Sequence, residues 1–402
     1  MIKHQLPEKW DYETEVAVIG AGAGGSPAAI SAHDAGAKVL ILERKSESEQ
    51  IGNIAISAGC VYAAGTTVQK AAGIEDSADR MYKFYMALCP EADAEKIRIV
   101  ANGSAEVVEW LKGLGIKYPT AMGVPGLTYA GWELIPEIAA KIPPALPAAH
   151  FPEGGGKALQ DMLLREVGNR GIEILFETRA RELIANPEGE IIGIKAERKE
   201  ETLYIKAKKG IVIATGPFER NQDLVSLHLP EFAGLPSISV TGADGDGILM
   251  AQAKGAALDH INSVLLVPGL NYEQYEPGRL IYAGRYHPCI LVNKGGKRFT
   301  DEHGGYTPLC KAILEQEDKM CFLIFDEHAK KTYGEDMVFL PPPLSPDLSE
   351  EVEVGLIKKA STIGELAKEI GIDPGTLEAT VATFNENAKA GKDPVFDVIY
   401  WL

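Results

Sequence analysis

The stretch Gly20-Ala21-Gly22-Ala23-Gly24-Gly25 constrains this chain more than any other, because of what flanks it. Before it runs Glu15-Val16-Ala17-Val18-Ile19, a short apolar pattern of a buried strand. After it come Ser26-Pro27 and an alanine-rich segment that stops at Gly36, the pattern of a helix. A second apolar strand, Lys38-Val39-Leu40-Ile41-Leu42, ends in Glu43, 23 residues beyond Gly20. That order and spacing predict a βαβ unit that binds a nucleotide. In such a unit Gly20 permits the tight turn, Gly22 lets backbone approach a pyrophosphate and Gly25 lets helix and strand pack closely. An acid at position 43 meets a ribose, and the helix N-terminus adds amide donors and partial positive charge.

At 402 residues the chain is long enough for two or three domains, and its 46% apolar and 24% charged residues are globular proportions. Forty basic against 57 acidic residues give a net charge of −17, the wrong sign for gripping nucleic acid or anionic lipid, so neither is expected as a partner. The five cysteines, Cys60, Cys89, Cys289, Cys310 and Cys321, are scattered and odd in number, and read as reduced thiols. They lack the spacing of an iron–sulfur cluster or c-type haem, so no metal site is expected and electrons must come from a separate donor or acceptor. Met1 to Trp10 lacks the basic and apolar pattern of a leader, and no apolar run approaches the roughly 18 residues of a membrane span. The expectation is a soluble, cytoplasmic protein.

Further along, residues 54 to 114 read as mainly helical, with an amphipathic piece Ala105 to Leu111 ending near Gly113. Pro119 to Pro152 reads as a long irregular excursion. Gly154-Gly155-Gly156 opens a helix closed by Gly171, and a strand Ile172 to Phe176 follows. Segments 181–196 and 202–207, broken at Asn186-Pro187-Glu188-Gly189, predict an antiparallel meander before the separate strand Ile211-Val212-Ile213 delivers Ala214-Thr215-Gly216. Thr241 to Gly247 opens a helix Ile248 to Ala257, and Leu280 to Phe299 reads as paired strands around Asn293 to Gly296. Thr362 and Glu365 predict a capping box, Asp373-Pro374 starts a helix that ends before Gly391, and Phe396 to Leu402 read as the beginning of a strand.

These motifs in this order resemble the flavoprotein family of soluble fumarate reductases, urocanate reductases and 3-ketosteroid dehydrogenases, from Glu15 to about Asp397. The residues that carry the resemblance are the GAGAGG turn, Ile51-Gly52-Asn53 to Ala58-Gly59, Thr178-Arg179-Ala180, Ile213 to Gly216, Gly245-Asp246-Gly247-Ile248 and Val292 to Phe299. The resemblance implies an α/β fold, a Rossmann-like FAD-binding domain with an inserted α+β capping domain. It places the first part of the FAD-binding domain in residues 1–235, the capping or substrate domain in 236–355 and the return to the FAD-binding domain in 356–402. FAD would be held non-covalently by Gly20, Gly22, Gly24, Gly25, Glu43, Arg44, Asn53, Ile54, Ala58, Gly59, Ala180, Ala214, Thr215, Gly216 and Asp246. Glu43 would accept from the ribose, Asn53 with Ala58-Gly59 would lay backbone against the flavin, and Ala180 would offer backbone to adenine. Asp246 would meet the ribityl chain or isoalloxazine edge; an N-cap is an equally good reading of an Asp there.

The implied chemistry couples hydride exchange at flavin N5 with proton transfer at a C=C or CH–CH unit beside a carbonyl. The reductases use an arginine a few residues beyond Lys297-Arg298-Phe299, and here Tyr306 stands at that place. This matches the ketosteroid dehydrogenase pattern and favours a ketone over a dicarboxylate, with Tyr306 as proton donor or carbonyl-side acid. His287 is a second catalytic candidate facing the pocket, while Arg298 and Glu302 read as a structural pair. The family's final strand and GLYAAGE-type turn have no counterpart in this sequence. That raises two alternatives to the unsaturated-carbonyl oxidoreductase: a truncated, non-catalytic nucleotide-binding fragment, and a reductase of the fumarate or urocanate type.

Overall fold

A computed structural model of the chain describes residues 6–49, 52–119, 148–269, 289–302, 306–333, 345, 347–396 and 398–399. The chain divides into two compact units. The first holds Met1–Asp79, Arg98–Met122 and Ala148–Ser263, the second Arg80–Ile97, Gly123–Pro147 and Val264–Leu402.

In chain order the elements are β1 (Tyr12–Ile19), α1 (Gly25–Asp34), β2 (Val39–Leu42), β3 (Val61–Tyr62), α2 (Thr67–Ala71), α3 (Ala78–Leu88), α4 (Ala94–Gly113), β4 (Ala149–His150), α5 (Gly155–Asn169), β5 (Glu173–Leu175), β6 (Thr178–Ala185), β7 (Ile191–Arg198), β8 (Glu201–Ile213), α6 (Gln222–His228) and α7 (Asp246–Gln252). A six-stranded sheet of order β5-β2-β1-β8-β7-β6 carries the first unit. β5, β2, β1 and β8 run parallel, and β8, β7 and β6 form the antiparallel meander. This is the Rossmann-like α/β arrangement expected from the glycine turn.

The strands β1 and β2 read as unbroken apolar runs because both their faces are covered. Val18 and Ile41 pack with Ala29 and Ile30 of α1 and with Leu159, Leu163 and Val167 of α5. On the opposite face Ala17, Ile19, Leu40 and Leu42 pack with Leu183, Ile194, Ile205 and Met250.

The predicted separate strands 202–207 and 211–213 are one strand of 13 residues. The sequence hides this because Lys208 and Lys209, adjacent and both exposed, break the apolar alternation. Each instead pairs with an acid on β1, Lys208 with Glu13 at 2.9 Å and Lys209 with Glu15 at 2.7 Å. The helix after Gly245 is shorter than predicted, ending at Gln252 ahead of Gly255. Residues 54–66 hold turns and β3 rather than helix.

β3 pairs antiparallel with β4 and buries His150. Its Nδ1 lies 2.9 Å from the Ala148 carbonyl and 3.2 Å from that of Val61. Carbonyls only accept, so Nδ1 carries a proton; in the neutral ring Nε2 then accepts from the Thr66 hydroxyl at 2.8 Å. Thr66 Oγ1 in turn caps α2 by accepting from the Gln69 amide.

The second unit contains β9 (Ile290–Val292), α8 (Tyr306–Leu314), β10 (Phe322–Ile324), α9 (Glu327–Tyr333), α10 (Ser349–Glu353), α11 (Ile363–Glu369), α12 (Pro374–Lys389), β11 (Lys392–Asp393) and β12 (Val398–Ile399). Of the predicted paired strands in 280–299, residues 280–288 lie outside the described residues. β9 pairs with β10, and a bridge joins Val292 to Arg298 across the following turn. Ile290 and Val292 pack with Ala367, Ile372 and Leu377. Asp373 caps α12 with Pro374 in its first turn, as its sequence predicts. The capping box at Thr362 is half formed: Thr362 accepts from the Glu365 amide without the reciprocal bond from the Glu365 side chain. The strand expected near the end is β12, paired with β11. Most of the irregular stretch 119–152 lies outside the described residues. Among the described residues no helix is long and apolar enough to cross a membrane.

Burial holds the His150 pKa below the ordinary imidazole value. The folded state therefore binds its proton less readily than the unfolded chain does. The stability this implies is complete above the unfolded value near 6.5 and is lost as pH falls below it toward the depressed folded value. Urea midpoints should drop between about pH 7 and 5, and His150→Gln should remove part of that slope; an unchanged slope would disprove the assignment.

Candidate functional site

The turn from β1 into α1 is dense on one side and open on the other. A side-chain carbon at Gly25 would run into the Gly20 carbonyl oxygen, and one at Gly20 into that of Ala214. Gly20 also has φ of 102°, a backbone region glycine adopts without strain. The Ala214 methyl lies 3.6 Å from where a Gly24 side chain would begin. Glu43, buried at the end of β2, accepts from the Ala21 amide through Oε2 and from the Lys45 amide through Oε1, both at 3.0 Å. Gly22 behaves differently: nothing lies within 4 Å of a side-chain carbon placed there. Among the described residues no acceptor meets the amides of Gly22, Ala23 or Gly24. The first turn of α1 has no acidic side chain. Unmatched amides beside a helix N-terminus, facing open space, make a donor set that fits a phosphate or pyrophosphate group.

A second wall comes from residues 52–59. Gly52 stands close to Gly22, 3.9 Å from its Cα to the Gly52 side-chain position, and its amide donates to buried Gln160 Oε1 at 2.9 Å. Asn53 uses both ends of its carboxamide: Oδ1 accepts from the Val240 amide at 2.9 Å, and Nδ2 donates to Ser239 Oγ at 3.3 Å. The Ser239 hydroxyl donates to Glu219. The side chain of Asn53 is thus a strap to 239–240, a role its sequence context does not reveal. The Ile54 carbonyl lies against Gly156, the Ala58 carbonyl 3.8 Å from the Gly155 side-chain position, and Gly59 against Gly155 and Gly156. The run Gly154 to Gly156 lets this turn seat on the start of α5.

The third component follows β8. Thr215 Oγ1 accepts from the Gly247 amide at 3.2 Å, and Gly216 borders open space. The N-cap of α7 is Gly245, with φ of 76°, so the N-cap reading of Asp246 is corrected: Asp246 is the first helical residue. Its carboxylate takes two donors from Arg179, Nε to Oδ2 at 2.7 Å and Nη2 to Oδ1 at 2.8 Å. Arg179 also donates to Asp244 at 3.2 Å, and Arg44 Nη1 donates to the same Asp244 oxygen at 2.7 Å and to the Gly242 carbonyl at 3.2 Å. Two arginines and two aspartates form one neutral network, and the Asp246 carboxylate holds the Arg179 pKa above its ordinary value. Ala180, next to Arg179, is buried at a register break in β6.

The first unit therefore brings together fifteen of the cofactor candidates at the strand ends and the turns packed on them: Gly20, Gly22, Gly24, Gly25, Glu43, Arg44, Asn53, Ile54, Ala58, Gly59, Ala180, Ala214, Thr215, Gly216 and Asp246. The catalytic candidates belong to the second unit. Tyr306 is the first residue of α8, and the placement of its side chain lies outside the described residues, as does His287. The expected Arg298–Glu302 pair is present as a buried triad. Arg298 donates to both Glu302 oxygens at 2.8 and 2.6 Å and to Asp393 at 2.6 Å, and its guanidinium lies 4.9 and 5.0 Å from the ring centres of Phe384 and Phe396. Gln160, Ser239 and Asp393 are site or support residues that motif spacing does not single out. The sequence signals for the ionic network are Arg44, the Thr178-Arg179-Ala180 motif and the two aspartates between glycines at 242–247.

The chain matches the FAD binding domain family over residues 15–399. It is 29% identical over 388 residues to a fumarate reductase (cytochrome) of Shewanella frigidimarina, covering 95% of this chain and 62% of that protein. It is 28% identical over 400 residues to urocanate reductase of Eggerthella lenta, covering 98% and 62%. The chain thus spans about three fifths of the length of these curated relatives. The solved 3-ketosteroid-Δ4-(5α)-dehydrogenase of Rhodococcus jostii RHA1, in complex with 4-androstene-3,17-dione, is similar at 31% identity and a TM-score of 0.73, covering 97% of this chain and 80% of that one.

The two faces of the glycine turn make opposite predictions. Gly25→Ala should destabilise the protein by several kcal/mol, on the order of 3 or more, because backbone must shift, whereas Gly22→Ala should stay within about 0.5 kcal/mol of the parent. Urea unfolding of both variants checks this; equal losses would mean that Gly22 is not open.

Proposed function

Because this chain belongs to the FAD binding domain family and takes FAD as its cofactor, we propose that it is an oxidoreductase acting on a C=C or CH–CH unit beside a carbonyl. When bound, FAD supplies hydride acceptance or donation at N5. The observation that carries the reading is the open face of Gly22 with its unmatched amides, at the carboxyl ends of parallel strands.

The residues of the first unit take the binding roles. Amides of Gly22 to Gly24 hold the pyrophosphate. Glu43 accepts from the ribose hydroxyls, its carboxylate oriented by the amides of Ala21 and Lys45 and each oxygen keeping a free lone-pair direction. Backbone at Ala180 meets adenine, and the 53–59 turn lies beside the flavin, held by the Asn53 strap. Tyr306 donates the proton on the carbonyl side: a phenol is a neutral donor and needs no anionic partner. A tyrosine at the place of the reductases' arginine supports a ketone substrate. His287 lines the substrate pocket. Electrons pass to or from a separate partner, and the protein works in the cytoplasm.

A second reading, a reductase of unsaturated acids, is supported by the names of the curated relatives, fumarate and urocanate reductases. The test begins with FAD incubation, desalting and the visible spectrum. About one flavin per chain is expected, with Gly22→Ala at least roughly tenfold weaker in FAD affinity. Reoxidation of the reduced protein by a 3-ketosteroid, fumarate or urocanate then separates ketone from acid. Tyr306→Phe should lower turnover by about 10²- to 10⁴-fold while flavin content is kept. A folded protein that retains no flavin would instead support the non-catalytic fragment, and full activity of Tyr306→Phe would end its role as donor.

A further inference from the structure

We propose that Ser26 is a positioning residue for the pyrophosphate of FAD: its hydroxyl holds the Ala21 carbonyl so that the Gly22 amide is presented to the open side of the turn. The inference rests on the FAD reading above and deepens it, by naming what aims the unmatched amides on which that reading depends.

Ser26 is fully buried at the second position of α1. Its Oγ donates to the Ala21 carbonyl at 2.8 Å, and its amide donates to the Gly22 carbonyl at 3.1 Å. The next residue, Pro27, has no amide hydrogen and cannot give the Ala23 carbonyl the bond that a helix ordinarily supplies there. One residue further on, the Ala28 amide donates to the Gly24 carbonyl at 3.3 Å. Among the described residues, Ser26 therefore makes two of the three bonds from the start of α1 back to the glycine turn, and its hydroxyl is the one that reaches Ala21.

The consequence follows from the geometry of the peptide bond. A trans peptide is planar, and its C=O and N–H point in opposite directions. The Ala21 carbonyl and the Gly22 amide share one such plane, so a hydroxyl that draws the carbonyl toward α1 turns the amide hydrogen away from the helix, at a residue that borders open space. The Gly22 carbonyl and the Ala23 amide share the next plane, and the Ser26 amide orients it in the same way. On the other side of Ala21, Glu43 Oε2 fixes the Ala21 amide at 3.0 Å. Ala21 is thus held at both its amide and its carbonyl, and two consecutive planes that carry phosphate donors are set by one serine. Removing the hydroxyl deprives a buried carbonyl of its partner and frees the first plane to rotate.

The test titrates FAD, and separately ADP, which carries the pyrophosphate without the flavin, into the parent, Ser26→Ala, Gly22→Ala and the double variant, with urea unfolding of each in the absence of ligand. Ser26→Ala is expected to weaken FAD and ADP alike by about five- to tenfold, the factor that corresponds to one lost hydrogen bond. In the Gly22→Ala background, where a methyl group already obstructs the amide, the same substitution should cost less than about twofold. Ser26→Cys, which keeps a weak donor at similar size, should fall between Ser26→Ala and the parent, and it takes the place of Ser26→Ala in the cycle if that variant does not fold. The proposal is overturned if Ser26→Ala leaves FAD affinity unchanged, if FAD weakens while ADP does not, or if the loss is the same factor in both Gly22 backgrounds, which is the mark of a general loosening of α1. A parent protein that binds neither FAD nor ADP overturns the FAD reading together with this one, whereas a parent that binds FAD no more tightly than Ser26→Ala overturns this proposal alone.

Discussion

A side-chain carbon at position 25 would meet the carbonyl oxygen of Gly20, and much of the first unit depends on the contact that glycine permits there. With both positions bare, α1 leaves β1 at once and lies on the sheet, where Ala29 and Ile30 cover Val18 and Ile41. The chain between them turns outward, so Gly22 borders open space. Tight packing on the sheet side and vacancy on the other are two results of one turn. Glu43 completes it by reaching from β2 to the Ala21 amide, which ties two strand ends with a charged acceptor.

The two units solve the problem of holding arginine in different ways. In the second unit Arg298 is 7% exposed and faces Glu302 and Asp393, both 0% exposed. Burying three charges is tolerable only because nearly every polar atom is matched: Glu302 also accepts from the Leu291 amide, Asp393 from that of Val395, and two phenylalanine rings cover the guanidinium. Loss of one member strands the others. In the first unit the four charges remain partly wet, and solvent can compensate a lost partner. The buried triad belongs to the framework, and the wet network belongs to the site, where adjustment on cofactor binding is affordable.

Glycine–backbone contacts and short polar straps, rather than apolar packing, join the turns around the candidate site. The 53–59 turn is held by Gln160, Ser239 and Val240, and the 241–247 turn by Arg44, Arg179 and Thr215. Such ties fix backbone groups in place while leaving room for a bound molecule. They are also directional, which suits a cofactor recognised largely through amides and carbonyls. The acidic excess of the whole chain is compatible with a phosphate-binding role for this turn, because amides and a helix end can meet a phosphate group without lysines.

The βαβ unit, the identity of its glycines and the acid at 43 were legible in the amino-acid order because each depends on local sterics or on spacing along two strands. Helix α12 was legible for a similar reason, its cap lying one residue before a proline. The length of β8 was not, since its continuity depends on β1 lying alongside and supplying Glu13 and Glu15 to the lysines that interrupt the apolar pattern. Nor was the work of Asn53, Arg179 or Asp393, whose partners lie 187, 67 and 95 residues away. By itself, then, the sequence determined the nucleotide-binding turn and the family to which the chain belongs. Only the tertiary structure decided which side chains hold that turn's surroundings, because a hydrogen bond between distant residues requires that the chain already be folded and leaves no periodicity in the sequence.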